Sequence, residues 1–504
     1  MSTDIPEPLH KPSVIQEKFK RYLSYFLSYL IPIIGTLIML KILPQTQKYY
    51  IFVIIGSFML FSVTSLGAFF IESQKITLYT AVNTLLILSI FLIKPKIPIK
   101  LYPSAGMYVR ITITTLLAGF LGWFMTLFRI FNQIQIKRNP YNQPVLILLI
   151  GAIISYPRIL DHRVYLIWFT STLYLLIVIE LQFYILENTT YTEHHTYILG
   201  AIVSLFIIIT IANLLLKNYD TTSVIFFERS KGIFTNPNSL GIFSAVGTYL
   251  LIAYGIKNKN TIIRLILFIF ILILIYLVRI SVSRNAVLSL GIASATFVFL
   301  ALNKRGSKFR FFLSFIFSLL TLAVLVLVFL KFTREFSFRF ETALKGKEAS
   351  ALLRLLMAKH TLRYIVTHPI NVFIGSGPYQ FYHYTFSYGL AGPHNIIIDW
   401  WFSFGIFGLT AILLFLYFTY IKPLKFIYKQ RTFFSSREYL YRVSLVSAMT
   451  AFWASTLLDE VFWAIHHTIL YQTLPFIITT IPYLIIEEPP NNIAQKRTKI
   501  VSKK

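Results

Sequence analysis

The sequence predicts an all-α polytopic membrane protein with about 12 to 14 transmembrane helices and one large external loop. Its 504 residues are 56% hydrophobic and only 13% charged, which is more apolar than a soluble core requires. Apolar runs of about 18 or more residues recur along the chain, long enough to cross a hydrocarbon layer about 30 Å thick as helices. The interval 332–394 interrupts these runs with polar residues, and loops of that length are usually functional.

The predicted spans are taken in chain order from the apolar runs. They lie at 23–43, 50–72, 76–94, 111–128, 144–157, 165–186, 196–216, 239–256, 262–281, 286–302, 310–331, 396–420, 443–458 and 468–486. The run at 144–157 is short enough to be re-entrant, and the run at 443–458 is marginal. These two runs set the lower end of the predicted number of spans.

The net charge of +28 comes from basic clusters at the ends of spans rather than from one polar face. This arrangement is typical of membrane topology and argues against a nucleic-acid partner. Clusters at 303–310, 421–442 and 496–499 fall on one side if the helices alternate, and that side is predicted to be cytoplasmic. By the same alternation, 217–238 and 332–394 are predicted to be external.

Several kinds of chemistry have no support in the residues. The chain has no cysteine, which excludes disulfides and thiolate sites. It has no phosphate-binding or dinucleotide-binding glycine pattern, and the cluster at 375–378 predicts a turn. The histidine pairs at 194–195 and 466–467 are not spaced for one helical face, so neither a metal nor another cofactor is predicted. The acidic pair 459–460 is interpreted as a solvated span end.

The segment before the span at 239–256 carries two basic residues, Arg229 and Lys231, and ends in Asn236-Pro237-Asn238. Asn-Pro-Asn is a signal for a turn and a helix start, with Asn238 as the candidate cap. A capped helix start explains the asparagines but not the two cations.

Two more features lie at predicted external span ends. Arg284, between Ser283 and Asn285, is wedged between two apolar runs, where an arginine either reaches lipid head groups or pairs with an anion in a wet cavity. His394 and Asn395 open the span at 396–420. A histidine there is either a helix-start residue or a catalytic base.

The order of these features resembles the O-antigen ligase and polymerase superfamily of bacterial membrane glycosyltransferases. The matching motifs are Arg-x-x-Gly-x-x-x-Asn-Pro-Asn-x-x-Gly at 229–241, Ser-Arg-x-Ala at 283–286, Arg354 with His368-Pro369 and Gly-x-Gly at 375–377 in the loop, and His394-Asn395 followed by Gly-x-x-Gly at 405–408. The resemblance covers roughly residues 220 to 420.

The resemblance implies a helical bundle of the C-type glycosyltransferase kind, which takes a glycan from an undecaprenyl-diphosphate carrier without a metal and with inversion. His394 matches the proposed catalytic histidine of the family, and Arg229 and Arg284 match its arginines. Guanidinium groups suit a diphosphate leaving group, and imidazole suits a base near neutral pH. Lys231, Arg354, Asn395 and Asn238 are the predicted substrate-binding residues.

The resemblance also implies a place and a division of the chain. The expected location is the bacterial inner (cell) membrane, with the active site facing the periplasm or outside. The predicted parts are a cytoplasmic N-terminal segment 1–22, a variable transmembrane half 23–216, a ligase-like region 217–420, C-terminal spans 421–486 and a basic cytoplasmic tail 487–504.

The acceptor stays open at this point. A glycan, lipid A core or another hydroxyl would make the protein a polymerase, a ligase or a protein glycan transferase. The alternative class is a transporter or flippase for lipid-linked oligosaccharides, which would distribute arginines through several spans and show inverted repeats. A non-catalytic scaffold would leave the arginines and His394 without a purpose.

Overall fold

A computed structural model gives the architecture of the chain. It describes residues 99–100, 108–109, 139–187, 198–215, 219–220, 229–234, 236–332, 337, 341, 349–387, 392–459, 463 and 473–487. The first four predicted spans, the terminal residues 1–22 and 488–504, Glu460 and both histidine pairs lie outside these residues.

The described residues are almost entirely helical, as an all-α membrane protein requires. In chain order the helices are α1 (Asn142–Ser155), α2 (His162–Glu187), α3 (Leu199–Leu215), α4 (Pro237–Lys257), α5 (Thr261–Ser281), α6 (Arg284–Leu302), α7 (Lys308–Phe332), α8 (Ala349–Thr367), α9 (Pro369–Phe373), α10 (Ile396–Phe404), α11 (Ile406–Leu416), α12 (Lys422–Gln430), α13 (Ser436–Leu458) and α14 (Ile481–Ile486). A π-helical turn at Tyr417–Ile421 joins α11 to α12, and another at Phe476–Thr480 precedes α14.

Strands are confined to two short antiparallel pairs in the described residues. Ile99–Lys100 pairs with Tyr108–Val109, and Tyr219–Asp220 pairs with Arg229–Ser230. The second pair matters here because it carries Arg229 to the end of the bundle where α4 begins.

Five described segments are long and apolar enough to cross a membrane: α4, α5, α6, Phe309–Lys331 and Ile406–Gln430. The chain is thus a polytopic membrane protein. The predicted spans from 165 to 331 agree with the helices to within about three residues at each end. The run at 443–458 is part of α13, which starts at Ser436, earlier than predicted.

Helix α4 is the centre of the bundle. Burial covers 78% of its most apolar 18 residues, compared with 17% for the outer helix Phe309–Lys331. It packs against α3, α5, α6 and α13. Phe243 of α4 stacks on Phe206 of α3 with ring centroids 4.2 Å apart. Residues at either end of α4 are therefore held by several neighbouring helices at once.

The bundle has two distinct ends. At one end, which we call the Lys257 end, Arg437 of α13 donates to the carbonyl oxygens of Ile256, Lys257 and Asn258, and Lys257 pairs with Glu438 at 2.6 Å. Helices α4 and α13 are therefore antiparallel. The start of α4, the start of α6 and the end of α13 meet at the opposite end, which we call the His394 end.

The predicted span at 396–420 is not one continuous helix, so that prediction was wrong in detail. The chain breaks at Gly405, whose φ of +60° favours glycine. A Cβ there would lie 2.3 Å from the carbonyl oxygen of Phe373. Residues 375–377 of the loop fill the break, because Ser376 N donates to Phe402 O and Gly377 N donates to Ser403 O, both at 2.8 Å.

The predicted external loop is an ordered part of the fold where it is described. Helix α8 packs on α10 through a small core formed by Met357, Ile365, Phe381 and Phe402. The described part of the loop thus packs directly against the helix that follows His394.

Candidate functional site

His394 lies one residue before the cap of α10 and does not itself cap the helix. The cap is Asn395, whose Oδ1 accepts from the backbone N–H groups of Ile397 and Ile398. Asn395 Nδ2 donates to Leu457 O at 2.8 Å, which ties this turn to α13. His394 itself has a φ of +57°, a conformation that costs a non-glycine residue on the order of 1 to 3 kcal/mol and persists only where neighbours hold it.

The group that faces His394 is Asp459, the residue directly after α13. Its Oδ1 lies 3.1 Å from His394 Nδ1. The Asp459 side chain is only 6% exposed, so the interpretation of this residue as a solvated span end was wrong. A carboxylate withdrawn from water needs several hydrogen-bond donors, and the structure supplies them.

Asn238 and Arg354 are further partners of Asp459. Asn238 Nδ2 donates to Asp459 Oδ2 at 3.1 Å. Arg354 Nη2, from α8, lies 3.5 Å from the same oxygen. The Arg354 side chain is 35% exposed, so this second ion pair is the weaker one.

The helix cap predicted at Asn238 is instead Asn236, whose Oδ1 accepts from Ser239 N at 2.9 Å. Pro237 follows at the first helical position, where its missing N–H is no loss. Asn238 is therefore inside α4, and its side chain points to the polar cluster rather than to the backbone.

Arg229 reaches the same cluster from the second strand pair. Its Nη2 donates to Asn238 Oδ1 at 3.0 Å, and its Nε donates to Ser281 O at 3.2 Å, at the end of α5. The two hydrogen bonds fix the plane of the guanidinium group. A guanidinium group binds a phosphate through paired donors in that plane, so its orientation decides whether it can bind.

Arg284 and Lys231 lie at the same end of the bundle. Arg284 opens α6, whose cap is Ser283, and its neighbour Asn285 donates to Ser455 O at 3.2 Å, one turn before Asp459. Lys231 is half-buried in the turn that follows Arg229. Their placement agrees with a role near the cluster, and what each does to a substrate stays a prediction.

We call Arg229, Asn238, Arg354, His394 and Asp459 the His394 cluster. Hydrogen bonds connect them in the order Arg229, Asn238, Asp459 and His394, and Arg354 joins at Asp459. A carboxylate can only accept, so the neutral imidazole that pairs with it carries its proton on Nδ1. The unprotonated nitrogen is then Nε2, the atom that could take a proton from a hydroxyl.

A second polar contact fixes the loop and was not predicted from the sequence. Arg158, in the link between α1 and α2, donates to Asn371 Oδ1 and to Gly375 O. In return, Gln380 Oε1 accepts from the backbone N–H groups of Leu160 and Asp161, both at 2.9 Å. The link therefore joins the N-terminal half to the loop beside the break at Gly405.

Two titratable groups of the loop are affected by this packing. Burial lowers the pKa of His383, and the nearby carboxylate of Asp161 partly offsets that effect. Burial also raises the pKa of Tyr384. Both shifts favour the neutral form of the side chain.

Within the described ranges, no three His, Asp or Glu side chains converge in a way that could hold a metal ion. The His394 cluster contributes one imidazole and one carboxylate, and its other members are an amide and two cations.

The comparisons with known proteins agree with the motifs. Among curated proteins, none matches the chain. Residues 268–413 match the family model described as O-antigen ligase. That stretch includes Arg284, Arg354 and His394, whereas Arg229 and Asp459 lie outside it. The family supports a glycosyltransferase-type function in polysaccharide assembly. The match confirms the resemblance indicated by the motifs, and residues 268–413 are the part of this membrane protein that is similar to the O-antigen ligase family.

Proposed function

We propose that this protein is a membrane glycosyltransferase that moves a glycan from an undecaprenyl-diphosphate carrier to an acceptor hydroxyl during cell-surface polysaccharide assembly. The observation that carries the proposal is the imidazole–carboxylate pair of His394 and Asp459, linked through Asn238 to the guanidinium of Arg229. A group suited to be a base and a cation suited to bind phosphate thus belong to one hydrogen-bonded cluster at the end of a helical bundle.

In the proposed step, His394 Nε2 takes the proton of the acceptor hydroxyl. The acceptor oxygen then forms a bond to the anomeric carbon of the donor sugar. The bond from that carbon to the diphosphate oxygen breaks, and undecaprenyl diphosphate leaves with the electron pair. Displacement in a single step inverts the anomeric configuration and needs no metal.

Asp459 has two effects on the base in this scheme. It fixes the tautomer, because Nδ1–H must point at the carboxylate, and it stabilises the imidazolium that forms when Nε2 takes the proton. Its 6% exposure strengthens both effects, since little water screens the pair.

The arginines act on the leaving group. Arg229 and Arg284 supply fixed positive charge where charge develops on the diphosphate, and neither loses its proton at any working pH. Arg229 is oriented for this by Asn238 and Ser281. Lys231 and Arg354 add positive charge, which favours a lipid-linked anion at this end of the bundle.

The proposed location follows from the charge pattern. The basic segments 303–310 and 421–442 meet at the Lys257 end, where Lys304 Nζ donates to Ser436 Oγ at 3.0 Å. We propose that this end faces the cytoplasm of a bacterial inner membrane, in accordance with the positive-inside rule. The His394 cluster would then face the periplasm or the outside.

The test uses purified protein in liposomes with an undecaprenyl-diphosphate-linked glycan and a set of acceptors. His394→Ala should insert and bind the donor normally, but its transfer rate should fall by about 10²- to 10⁴-fold. Wild-type activity should decrease as the pH is lowered, because the base must be neutral to take a proton.

The matched control is His368→Ala, which removes the exposed histidine that follows α8 and should leave transfer nearly unchanged. Near-normal transfer by His394→Ala would contradict the role of the base. Product with retained configuration would contradict direct displacement. Movement of the intact donor across the bilayer, without transfer to any acceptor, would indicate a flippase instead.

The acceptor decides between a ligase, a polymerase and a protein glycan transferase. We assign that choice to the loop, because its helix α8 brings Arg354 to the His394 cluster, and to the link at Arg158, which is hydrogen-bonded to the loop. Assays with lipid A core, with a second lipid-linked repeat unit and with a protein hydroxyl would separate the three.

A further inference from the structure

Asn238 lies between Arg229, which is proposed to bind the leaving group, and Asp459, which contacts the proposed base His394. Its Oδ1 accepts from Arg229 Nη2 at 3.0 Å, and its Nδ2 donates to Asp459 Oδ2 at 3.1 Å. Because Asn236 is the cap of α4, helix capping does not account for Asn238.

A side-chain amide is the group that can hydrogen-bond both Arg229 and Asp459. Arginine only donates hydrogen bonds and a carboxylate only accepts them, so the group between them must accept on one side and donate on the other. An aspartate in this position would place a second carboxylate beside Asp459. A leucine of similar size would leave both neighbours without this partner.

The place of Asn238 in the fold suits such a connection. It lies in the first turn of α4, the central helix, whereas Arg229 comes from a strand and Asp459 from the end of α13. The side-chain amide of Asn238 therefore connects Arg229 and Asp459 from the central helix of the bundle.

We propose that Asn238 is a positioning residue, which holds the Asp459 carboxylate toward His394 while it orients the guanidinium of Arg229. It does not contact the substrate, in contrast to the substrate-binding role that the sequence suggests. The inference rests on the proposed transferase function and adds to it that the base and the leaving-group cation are aligned by one side chain.

The decisive experiment exchanges the two side chains. Asn238→Asp and Asp459→Asn are each expected to lower transfer by about 10-fold or more. The double variant restores the order of donors and acceptors. The carboxylate introduced at position 238 accepts from Arg229 and from the amide introduced at position 459, whose oxygen in turn accepts from His394. This variant should exceed Asp459→Asn by about 10-fold but stay below wild type, since His394 and Arg354 then both face an amide instead of a carboxylate.

A matched control combines Asp459→Asn with Asn258→Asp, the same change at the Lys257 end, and should give no recovery. Recovery by both pairs, or by neither while wild type is active, would overturn the proposal. Asn238→Leu separates the two roles: a positioning residue lowers kcat with the donor KM nearly constant, whereas a substrate-binding residue raises KM.

Thermal unfolding of wild type, the two single variants and the double variant gives a readout that does not depend on transfer. The melting temperatures of this exchange cycle should be non-additive, because the two side chains are in contact. If no protein, including wild type, transfers a glycan but the coupling is present, the proposed function fails and the contact stands. If the melting temperatures are additive while wild type is active, the positioning role fails alone.

Discussion

The substitution Asp459→Asn tests the centre of the site with the smallest change in shape. Asparagine keeps one acceptor oxygen but presents an N–H₂ group where the second carboxylate oxygen was. If that group faces His394, it donates to Nδ1 and forces the ring proton onto Nε2, the atom that we propose takes the proton of the acceptor hydroxyl. If it faces Asn238, it meets another amide donor.

The size of the effect follows from the contact. A hydrogen bond to a charged group contributes about 1.5 to 3 kcal/mol, and at about 1.36 kcal/mol per tenfold change this corresponds to roughly 10- to 150-fold in rate. The low exposure of Asp459, 6%, argues for the upper part of that range. Loss of the correct tautomer extends the expected decrease toward about 10⁴-fold, the full effect of removing a general base.

Single-turnover transfer in proteoliposomes, with donor bound in advance, measures the chemical step directly. The control is Asp161→Asn, the same change in the link between α1 and α2, where the carboxylate accepts from Tyr382 Oη at 3.2 Å. It should stay within about threefold of wild type, as expected for a partly exposed group. If Asp459→Asn transfers as fast as this control, then His394 does not depend on the carboxylate and the reasoning is refuted.

Three other predictions concern the cations, the helix break and the topology. Arg229→Lys and Arg284→Lys keep the charge but lose the planar fork, so each should reduce turnover by about 10-fold or more; wild-type turnover in the double variant would show that neither acts on the diphosphate. Gly405→Ala should lower the melting temperature and expression of the protein, because the new Cβ meets the Phe373 carbonyl at a positive φ, and unchanged melting would argue against the break. In a chain without cysteine, Ser350→Cys should react with an impermeant reagent in intact cells and Ser307→Cys should not; the reverse pattern would turn the His394 end toward the cytoplasm.

The hydrophobic pattern was sufficient to predict most of the helices that the structure describes. Runs such as 262–281 have the length and apolarity of a lipid-facing helix. A segment in lipid must satisfy its backbone hydrogen bonds within itself, whatever its tertiary contacts are. The break at Gly405 was not predicted, because it depends on residues 375–377, which supply the backbone donors that complete the helix end.

The candidate site was predicted only in part, for a related reason. Motif order brought Arg229, Arg284 and His394 together, but Asp459 follows His394 by 65 residues and resembles an ordinary polar span end. One signal was present in the sequence. A carboxylate at the C-terminal end of a helix meets the negative end of the helix dipole, which is unfavourable unless cations or other donors compensate. Asp459 at the end of α13 has such donors in Asn238 and Arg354.

The wide separation of the cluster members along the chain has a consequence for biogenesis. Asn238 and Asp459 are 221 positions apart, so their hydrogen bond forms only after α13 has left the ribosome and entered the membrane. Up to that moment the nascent protein has His394 but not the carboxylate that orients it. If the proposed function holds, chains that are stalled or truncated before residue 459 should insert into the bilayer without transferring a glycan. Activity should appear only after the last predicted spans have been synthesised.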